Sequence, residues 1–325
     1  MKALVYTDTM QTEFRDEPAP VARDHEVVVD LSHCGICGSD MHAWHGHDVR
    51  RVPPLILGHE AVGIARSGKF EGKRVAINPL MTCGNCNFCE TGNEHLCSSR
   101  ELIGMRVPGA FAEAVAIKEQ NLTALPDHLS FDEAALAEPL AVAIHAVKLG
   151  VARSRSDGIS SIVLGGGAIG LLCALVLEQY GVSNIRIAET NELRRGMLAE
   201  VTSAIPYDPI NDKPKIEVDL LLDCVGSGIT RVSASGLVKP GGTIIHVGLQ
   251  DNEPGLDTRR ITLQEIAFIG TYCYTNADFS EALKMLADGG ISRQGWSEIR
   301  PLSEGGCGFE DIHNAKAVPK IILEI

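Results

Sequence analysis

Ser160-Ser161-Ile162-Val163-Leu164-Gly165-Gly166-Gly167-Ala168-Ile169-Gly170, followed by Leu171–Tyr180, is the stretch whose reading decides the fold. Ile162–Leu164 is a short apolar run stopped by glycine, which reads as a buried strand, and Leu171–Tyr180 reads as a helix. The next strand, Asn184–Ala188, ends at Glu189, nineteen residues after Gly170. A G-x-G-x-x-G run alone is a weak signal. Set between a strand and a helix, with an acid at this distance, it is a strong dinucleotide signature. The glycines permit a tight turn and let backbone N–H groups approach a pyrophosphate at the helix N-terminus. Glu189 stands where a carboxylate bonds the adenosine ribose hydroxyls and repels a 2′-phosphate. NAD is therefore expected over NADP, with Arg194 and Arg195 close by as the opposing feature.

Downstream, Val218–Val225, Thr243–Val247 and Ile266–Tyr272 are nearly continuous apolar runs, which suit a parallel sheet covered on both faces. Ala204–Glu217 holds prolines 206, 209 and 214, so one crossover is expected to shrink to a loop. Phe279–Asp288 reads as an amphipathic helix, and the chain ends in a strand, Lys320–Ile325.

Upstream, the texture is β-rich, with short runs at Lys2–Tyr6, Glu26–Leu31, Gly72–Ala76 and Gly109–Ile117. Cys83-Gly-Asn-Cys86-Asn-Phe-Cys89, closed by Cys97, gives four thiolates at tetrahedral Zn²⁺ spacing. An all-cysteine site is closed and structural, and two disulfides or a chance cluster of free thiols are the alternative readings. Cys37-Gly-Ser39-Asp40-Met-His42 and Gly58-His59-Glu60 offer a thiolate, an imidazole and a carboxylate, the donor set of an open catalytic zinc site. Taken alone, His59 reads as a core histidine, and Cys34 with Cys37 as half of another zinc lobe or a redox pair. Glu138 opens an apolar helix with Pro139 in its first turn. Its carboxylate either complements the helix dipole or serves the zinc or its water.

A chain of 325 residues is expected to hold two domains. A net charge of −13 with no basic stripe argues against nucleic acid and anionic membrane surfaces. The longest apolar run, Leu171–Leu177, is too short to span a bilayer, and the start of the chain shows no signal-peptide h-region. Ten cysteines in such a chain suggest a reducing cytoplasm.

Cys37-Gly-Ser39-Asp40-x-His42, Gly58-His59-Glu60, the four-cysteine lobe, Glu138-Pro-Leu-Ala-Val and Gly165–Gly170 follow one another over nearly the whole chain. Together they resemble the zinc-dependent medium-chain dehydrogenase/reductase family, in particular its sorbitol (polyol), idonate and threonine dehydrogenase branch. The resemblance implies an α/β protein. Residues 1–141 and 276–325 would form a GroES-like β-rich catalytic domain, and residues 142–275 a Rossmann domain with a doubly wound parallel sheet. It implies two Zn²⁺ per chain, one structural on Cys83, Cys86, Cys89 and Cys97, and one catalytic near Cys37, His59 and Glu60, with Glu138 as ligand or water partner. Asp40 would orient His59. Ser39 would take the substrate's hydroxyl proton, and His42 would pass it outward. Gly165, Gly167, Ile169, Gly170, Glu189, Arg194, Val247, Gly248, Leu249, Thr271, Tyr272 and Cys273 match cofactor-contact positions. The implied reaction is hydride transfer from a secondary alcohol to NAD, in a dimer or tetramer.

One departure bears on the substrate. The polyol branch carries an aromatic-Arg-aromatic triplet where this chain has Tyr272-Cys273-Tyr274, which leaves room for diols or less polar alcohols. Trp44, Phe111 and Tyr272 are candidate pocket walls, and equally candidates for plain core. Cys34, Cys173, Cys224, Cys273 and Cys307 read as packing thiols, with Cys273 also a candidate contact to cofactor or substrate. A zinc-free quinone or enone reductase has no use for Cys37, His59, Glu60 and Glu138. A non-catalytic cofactor-binding protein has no use for Ser39 and His42.

Overall fold

The computed structural model describes residues 1–154, 158–212 and 216–325. The chain forms two compact units. One comprises Met1–Pro139, Thr275–Arg293 and Ser297–Ile325, and the other Leu140–Tyr274 with Gln294–Trp296.

The first unit is built around β3 (Glu26–Gly35), long enough to serve three partners. Along one edge it pairs antiparallel with β9 (Ala114–Lys118) and then with β18 (Lys320–Glu324). Along the other it pairs with β5 (Glu60–Ala65). Beyond β5 lie β6 (Arg74–Ile77) and β10 (Leu122–Ala124), and β17 (Ser297–Pro301) runs parallel to β18. A second sheet holds the hairpin β1 (Lys2–Asp8) and β2 (Gln11–Asp16), with β4 (Leu55–Ile56) on the far side of β1. The pair β7 (Leu80–Met81) and β8 (Glu101–Leu102) frames the cysteine lobe. Helices α1 (Gly38–Trp44), α2 (Asn87–Glu90), α3 (Phe131–Ala134), α9 (Asn276–Ala287) and α10 (Gly305–His313) complete the unit. Trp44 and Phe111 turn out to be core. They are 3% and 0% exposed, with ring centroids 6.0 and 6.1 Å from Phe309. Aromatic burial of this size is worth more to the core than to a wet pocket wall.

Two upstream boundaries differ from the sequence expectation. β3 runs on to Gly35, which carries Cys34 into the fully buried core. Residues 109–113 form a tight crossing instead of a strand, with Gly109, Ala110 and Phe111 donating their N–H groups to Ile56, Gly58 and Leu57. Cys307 is exposed on α10 and is not a packing thiol.

The second unit holds one parallel sheet in the order β13 (Ile205–Tyr207), β12 (Asn184–Ala188), β11 (Ser160–Leu164), β14 (Val218–Asp223), β15 (Val238–His246) and β16 (Ala267–Gly270). Its helices are α4 (Ala137–Val151, which begins in the first unit), α5 (Ala168–Gln179), α6 (Glu192–Val201), α7 (Gly228–Leu237) and α8 (Thr258–Leu263). Among the described residues no helix joins β13 to β14, so the proline-rich crossover is a loop. Pro214 lies outside the described residues. β16 ends at Gly270, leaving Tyr272 beyond the strand. The segment Phe131–Val151 has the length and apolar composition to cross a membrane, but 72% of its apolar window is buried inside the protein. Leu136, Leu140, Ile144 and Val147 show no exposure.

Candidate active site

Cys37 is the N-cap of α1, and its Sγ accepts the Ser39 N–H at 3.5 Å. Asp40 closes the capping box, its Oδ2 accepting the Cys37 N–H at 3.0 Å. Its other oxygen, Oδ1, accepts the Gly58 N–H at 3.4 Å and lies 3.4 Å from His59 Nδ1. One fully buried carboxylate thus ties the α1 turn to the His59 loop.

Glu60 opens β5 directly opposite Gly35 of β3. A Cβ at Gly35 would stand 2.0 Å from Glu60 Oε2, so only glycine leaves room for the carboxylate. Lys320, the first residue of β18, ion-pairs with Glu60 Oε2 and donates to the Ile36 carbonyl at 2.9 Å. The outcome is a cluster in which Cys37, His59 and Glu60 each bring one ligand atom within 4.8 Å of the others. Glu138 is buried but stands outside this group, and it acts on Lys320 through its charge.

The cluster fits a cation. Glu60 Oε1 is buried without a hydrogen bond, and with His59 Nδ1 turned to Asp40 the other ring nitrogen, Nε2, is the one left for a cation. Burial works against a charged imidazole, but the Asp40 carboxylate and Cys37 thiol outweigh it and push His59 well above the usual histidine range. Burial likewise opposes the Asp40 anion, and His59 and Arg51 hold it below the usual carboxylate range. Thiolate, imidazole and carboxylate with an open side are the donors of a catalytic Zn²⁺.

Ser39 Oγ lies 3.5 Å from His59 Nε2. His42 follows one turn later on the same face of α1. The sequence reading missed the group that holds this hydroxyl. Arg51, 3% exposed, donates through Nη2 to Ser39 Oγ at 3.2 Å and through Nη1 to the Ser39 carbonyl at 3.1 Å. Its Nε donates to Gly104 O at 2.8 Å, and Asp48 anchors Nη1 at 2.9 Å. Nothing in Arg50-Arg51 distinguishes the buried arginine from its exposed neighbour. Lys320 left a trace, a lone charge heading an apolar terminal strand.

The four-cysteine lobe is geometrically separate. Cys86–Cys89 and Cys83–Cys97 Sγ distances are 3.5 Å, and Cys83–Cys89 is 3.9 Å. Sulfurs about 2.3 Å from a tetrahedral Zn²⁺ stand about 3.8 Å apart, so the lobe also fits zinc. All ten cysteines are free, so the disulfide reading is not the one adopted. The Asn85 N–H and then Cys97 hold the Cys83 thiol down to about 6.

In the second unit the sheet register gathers the expected nucleotide residues. Leu164, Ala188, Asp223, His246 and Gly270 pair in one row across the strands. Gly165, Glu189, Val247 and Thr271 therefore each stand one step past the carboxyl edge of the sheet, where such sheets bind ligands. A cavity of about 950 Å³ opens there, lined by Gly165, Gly167, Glu189 and Arg194 among others. Ile169, Gly170, Val247, Gly248, Leu249, Thr271, Tyr272 and Cys273 are not in its wall. A Cβ at Gly170 would come 1.8 Å from Gly165 O, so the helix packs on the loop only through glycine. Glu189 is pinned by the Gly166 N–H at 2.9 Å and the Asn191 N–H at 2.7 Å. Arg195 is turned to the Glu189 and Thr190 carbonyls at 2.8 and 2.7 Å. Asp223, also unforeseen, is fully buried and organises the loops, accepting from Val225 N, Gly226 N and Thr230 Oγ1 and facing His246 Nδ1 at 3.1 Å.

Residues 23–127 match the alcohol dehydrogenase GroES-like domain, and residues 168–288 the zinc-binding dehydrogenase domain. The chain is 31% identical to 2-dehydro-3-deoxy-L-galactonate 5-dehydrogenase of Pseudoalteromonas atlantica, over 92% of this chain and 91% of the relative. It is 30% identical to D-arabitol-phosphate dehydrogenase of Enterococcus avium, over 97% and 94%. A zinc-binding dehydrogenase from Sinorhizobium meliloti 1021, solved bound to NADP, superposes with a TM-score of 0.89 at 26% identity, covering 100% of this chain and 99% of that one. With both halves matched in order and relatives aligned almost end to end, the chain belongs to the zinc-binding alcohol dehydrogenase family and is an oxidoreductase.

Proposed function

We propose that this protein oxidises a secondary alcohol of a polyol, sugar acid or diol to the ketone, with NAD as hydride acceptor. The observation that carries the reading is the Cys37–His59–Glu60 group, its His59 and Glu60 buried and Cys37 half-buried, braced by Asp40. Support for the substrate class comes from the relatives, whose names specify a deoxy-galactonate derivative and arabitol phosphate.

Cys37, His59 and Glu60 would hold Zn²⁺, with Asp40 fixing the imidazole. When bound, zinc supplies a lowered pKa to a substrate hydroxyl, and NAD supplies the hydride acceptor. Ser39 receives the hydroxyl proton. A hydroxyl has two lone pairs and one proton, and Arg51 Nη2 occupies one lone pair. The other would take the substrate's proton, and Ser39 would pass its own proton onward to His42. Glu138 works from outside the ligand group, through Lys320 or a water. Glu189, held by two backbone N–H groups, meets the ribose hydroxyls and disfavours a 2′-phosphate. Cys83, Cys86, Cys89 and Cys97 would hold the structural zinc. A reducing cytoplasm and assembly into a dimer or tetramer belong to the same proposal.

A second reading, a less polar alcohol or a butanediol-type substrate, draws on Cys273. This residue sits at φ 47° where the polyol enzymes it resembles place an arginine.

The test is NADH formation on a panel of polyols, aldonates, their phosphates, vicinal diols and simple secondary alcohols, with NAD and NADP, before and after chelation. Chelator-sensitive turnover on sugar-derived substrates is expected. Turnover that survives complete metal removal would sink the mechanism, and activity on simple alcohols alone would select the second reading.

A further inference from the structure

The reaction proposed above leaves a proton on His42, and the row of imidazoles does not stop there. α1 ends at Trp44, and the chain folds back so that the His47 N–H donates to the His42 carbonyl at 3.0 Å. That turn stands the two rings edge to face, with centroids 5.7 Å apart. The His47 ring is 5.7 Å from that of His45, and the His45 ring 5.1 Å from that of His313, the last residue of α10. His45 Nε2 and His313 Nδ1 share a hydrogen bond of 3.0 Å. Trp44 is the apolar floor of the row, edge-on to His45 at 5.2 Å and to His313 at 5.7 Å. All four histidines belong to the first unit. His42 and His45 are half-buried, and His47 and His313 are exposed.

We propose that His47, and beyond it the hydrogen-bonded pair His45–His313, form a proton exit that carries the proton of alcohol oxidation from His42 to solvent. The proposal rests on the alcohol-oxidation reading above and extends it past His42. In that reaction the C–H hydrogen leaves with its electron pair as hydride to NAD. The hydroxyl proton goes to Ser39, and the proton Ser39 gives up goes to one nitrogen of His42. An imidazole accepts on one nitrogen and donates from the other, so a row of rings passes a proton on with no net change in any ring. Positioned groups exchange a proton across a hydrogen bond or through one bridging water, which suits neighbouring rings at these separations. Charge directs the flow. Burial, and then the His313, His47 and His42 imidazoles, hold His45 below the usual histidine range. A proton that reaches His45 therefore crosses the 3.0 Å bond to exposed His313 instead of resting there.

The test separates the hydride from the proton. Zinc-loaded protein would be mixed in stopped flow with NAD and whichever polyol, aldonate, diol or simple secondary alcohol it oxidises fastest, in weak buffer with a pH-indicator dye. NADH absorbance then reports the hydride, and the dye reports the proton. The two should rise together in the parent. In His47→Gln the first-turnover NADH phase should stay within about twofold of the parent while the dye phase lags roughly tenfold, a modest part of what a positioned acid–base group supplies. Free imidazole added to the buffer should shorten that lag. His313→Gln should lag less, because His47 is itself exposed. His25→Asn, at an exposed histidine in the turn before β3, should follow the parent. A dye phase that keeps pace with NADH in His47→Gln overturns the exit, and so does a loss of both phases alike that imidazole does not restore. Oxidation of no alcohol by the parent would overturn the underlying reading as well, whereas normal turnover without a lag in His47→Gln overturns the exit alone.

Discussion

The four-cysteine lobe and the Cys37–His59–Glu60 group both gather metal-ligating atoms, yet they are built in opposite ways. The lobe draws its ligands from fifteen consecutive residues, Cys83 to Cys97, in a loop where Cys83 is exposed. The other group draws them from the cap of α1 and the start of β5, and packs them with three further buried side chains, Asp40, Arg51 and Lys320. A lobe of this kind is a local motif whose ligands are their own scaffold. The Cys37 group has as many supporting residues as candidate ligands, and each supporting residue settles a charge or a hydrogen bond that burial would otherwise leave costly.

The sharpest break between the two is functional. Cys37→Ser should lower kcat/KM by roughly 10³-fold or more, because zinc-assisted ionisation is worth several kcal/mol. NADH binding, followed by nicotinamide fluorescence, should stay near the parent value. Cys97→Ser should do the reverse, removing one zinc per chain by metal analysis and lowering the unfolding midpoint. Loss of NADH binding in Cys37→Ser would count against the division of roles.

Next in size is Lys320→Met. Lys320 and Glu60 are 2% and 0% exposed in their side chains, so the substitution strands a buried carboxylate. In metal-stripped protein this should cost about 3–5 kcal/mol in urea unfolding. Zinc-loaded protein should lose less, since a cation at Cys37 and His59 would take over the charge of Glu60. Equal losses in both forms would separate Glu60 from the metal.

Arg51→Met should reduce kcat roughly ten- to a hundredfold with KM little changed, as expected for losing a charged hydrogen bond to a reacting hydroxyl. Arg51→Lys should not restore it, because Ser39, Asp48 and Gly104 are reached by three nitrogens of one rigid fork. A KM effect alone would make Arg51 structural.

The smallest effect concerns Asp48. Burial would raise its carboxyl, but the Arg50 side chain and backbone, and then Arg51, hold it at about 2 against an ordinary 3.8. A carboxyl lowered in the folded state contributes stability above its unfolded pKa and loses it as pH falls through the folded one. Asp48→Asn should therefore be less stable than the parent above about pH 4 and converge with it toward pH 2. A gap that widens on acidification would contradict the pairing.

The sequence alone was sufficient for the nucleotide loop, the cysteine lobe and the parallel sheet, because each is written in spacing. Glycines at fixed offsets, cysteines within one loop and unbroken apolar runs are local patterns that local geometry enforces. It also named Cys37, His59 and Glu60 as candidates. It had no means to choose between Glu60 and Glu138, since both are carboxylates beside apolar runs. The tertiary structure bears on that choice through register, setting Glu60 against a residue with no side chain at Gly35 and beside Cys37 and His59, while Glu138 stands outside that group. It decided that Trp44 and Phe111 are core. The roles of Arg51 and Lys320 were beyond sequence reading because groups they serve lie far along the chain, Gly104 for Arg51 and Glu60 for Lys320. Asp223 serves mainly its own loop, where nothing in the spacing marks that role. Only packing brings these charges and lone pairs face to face.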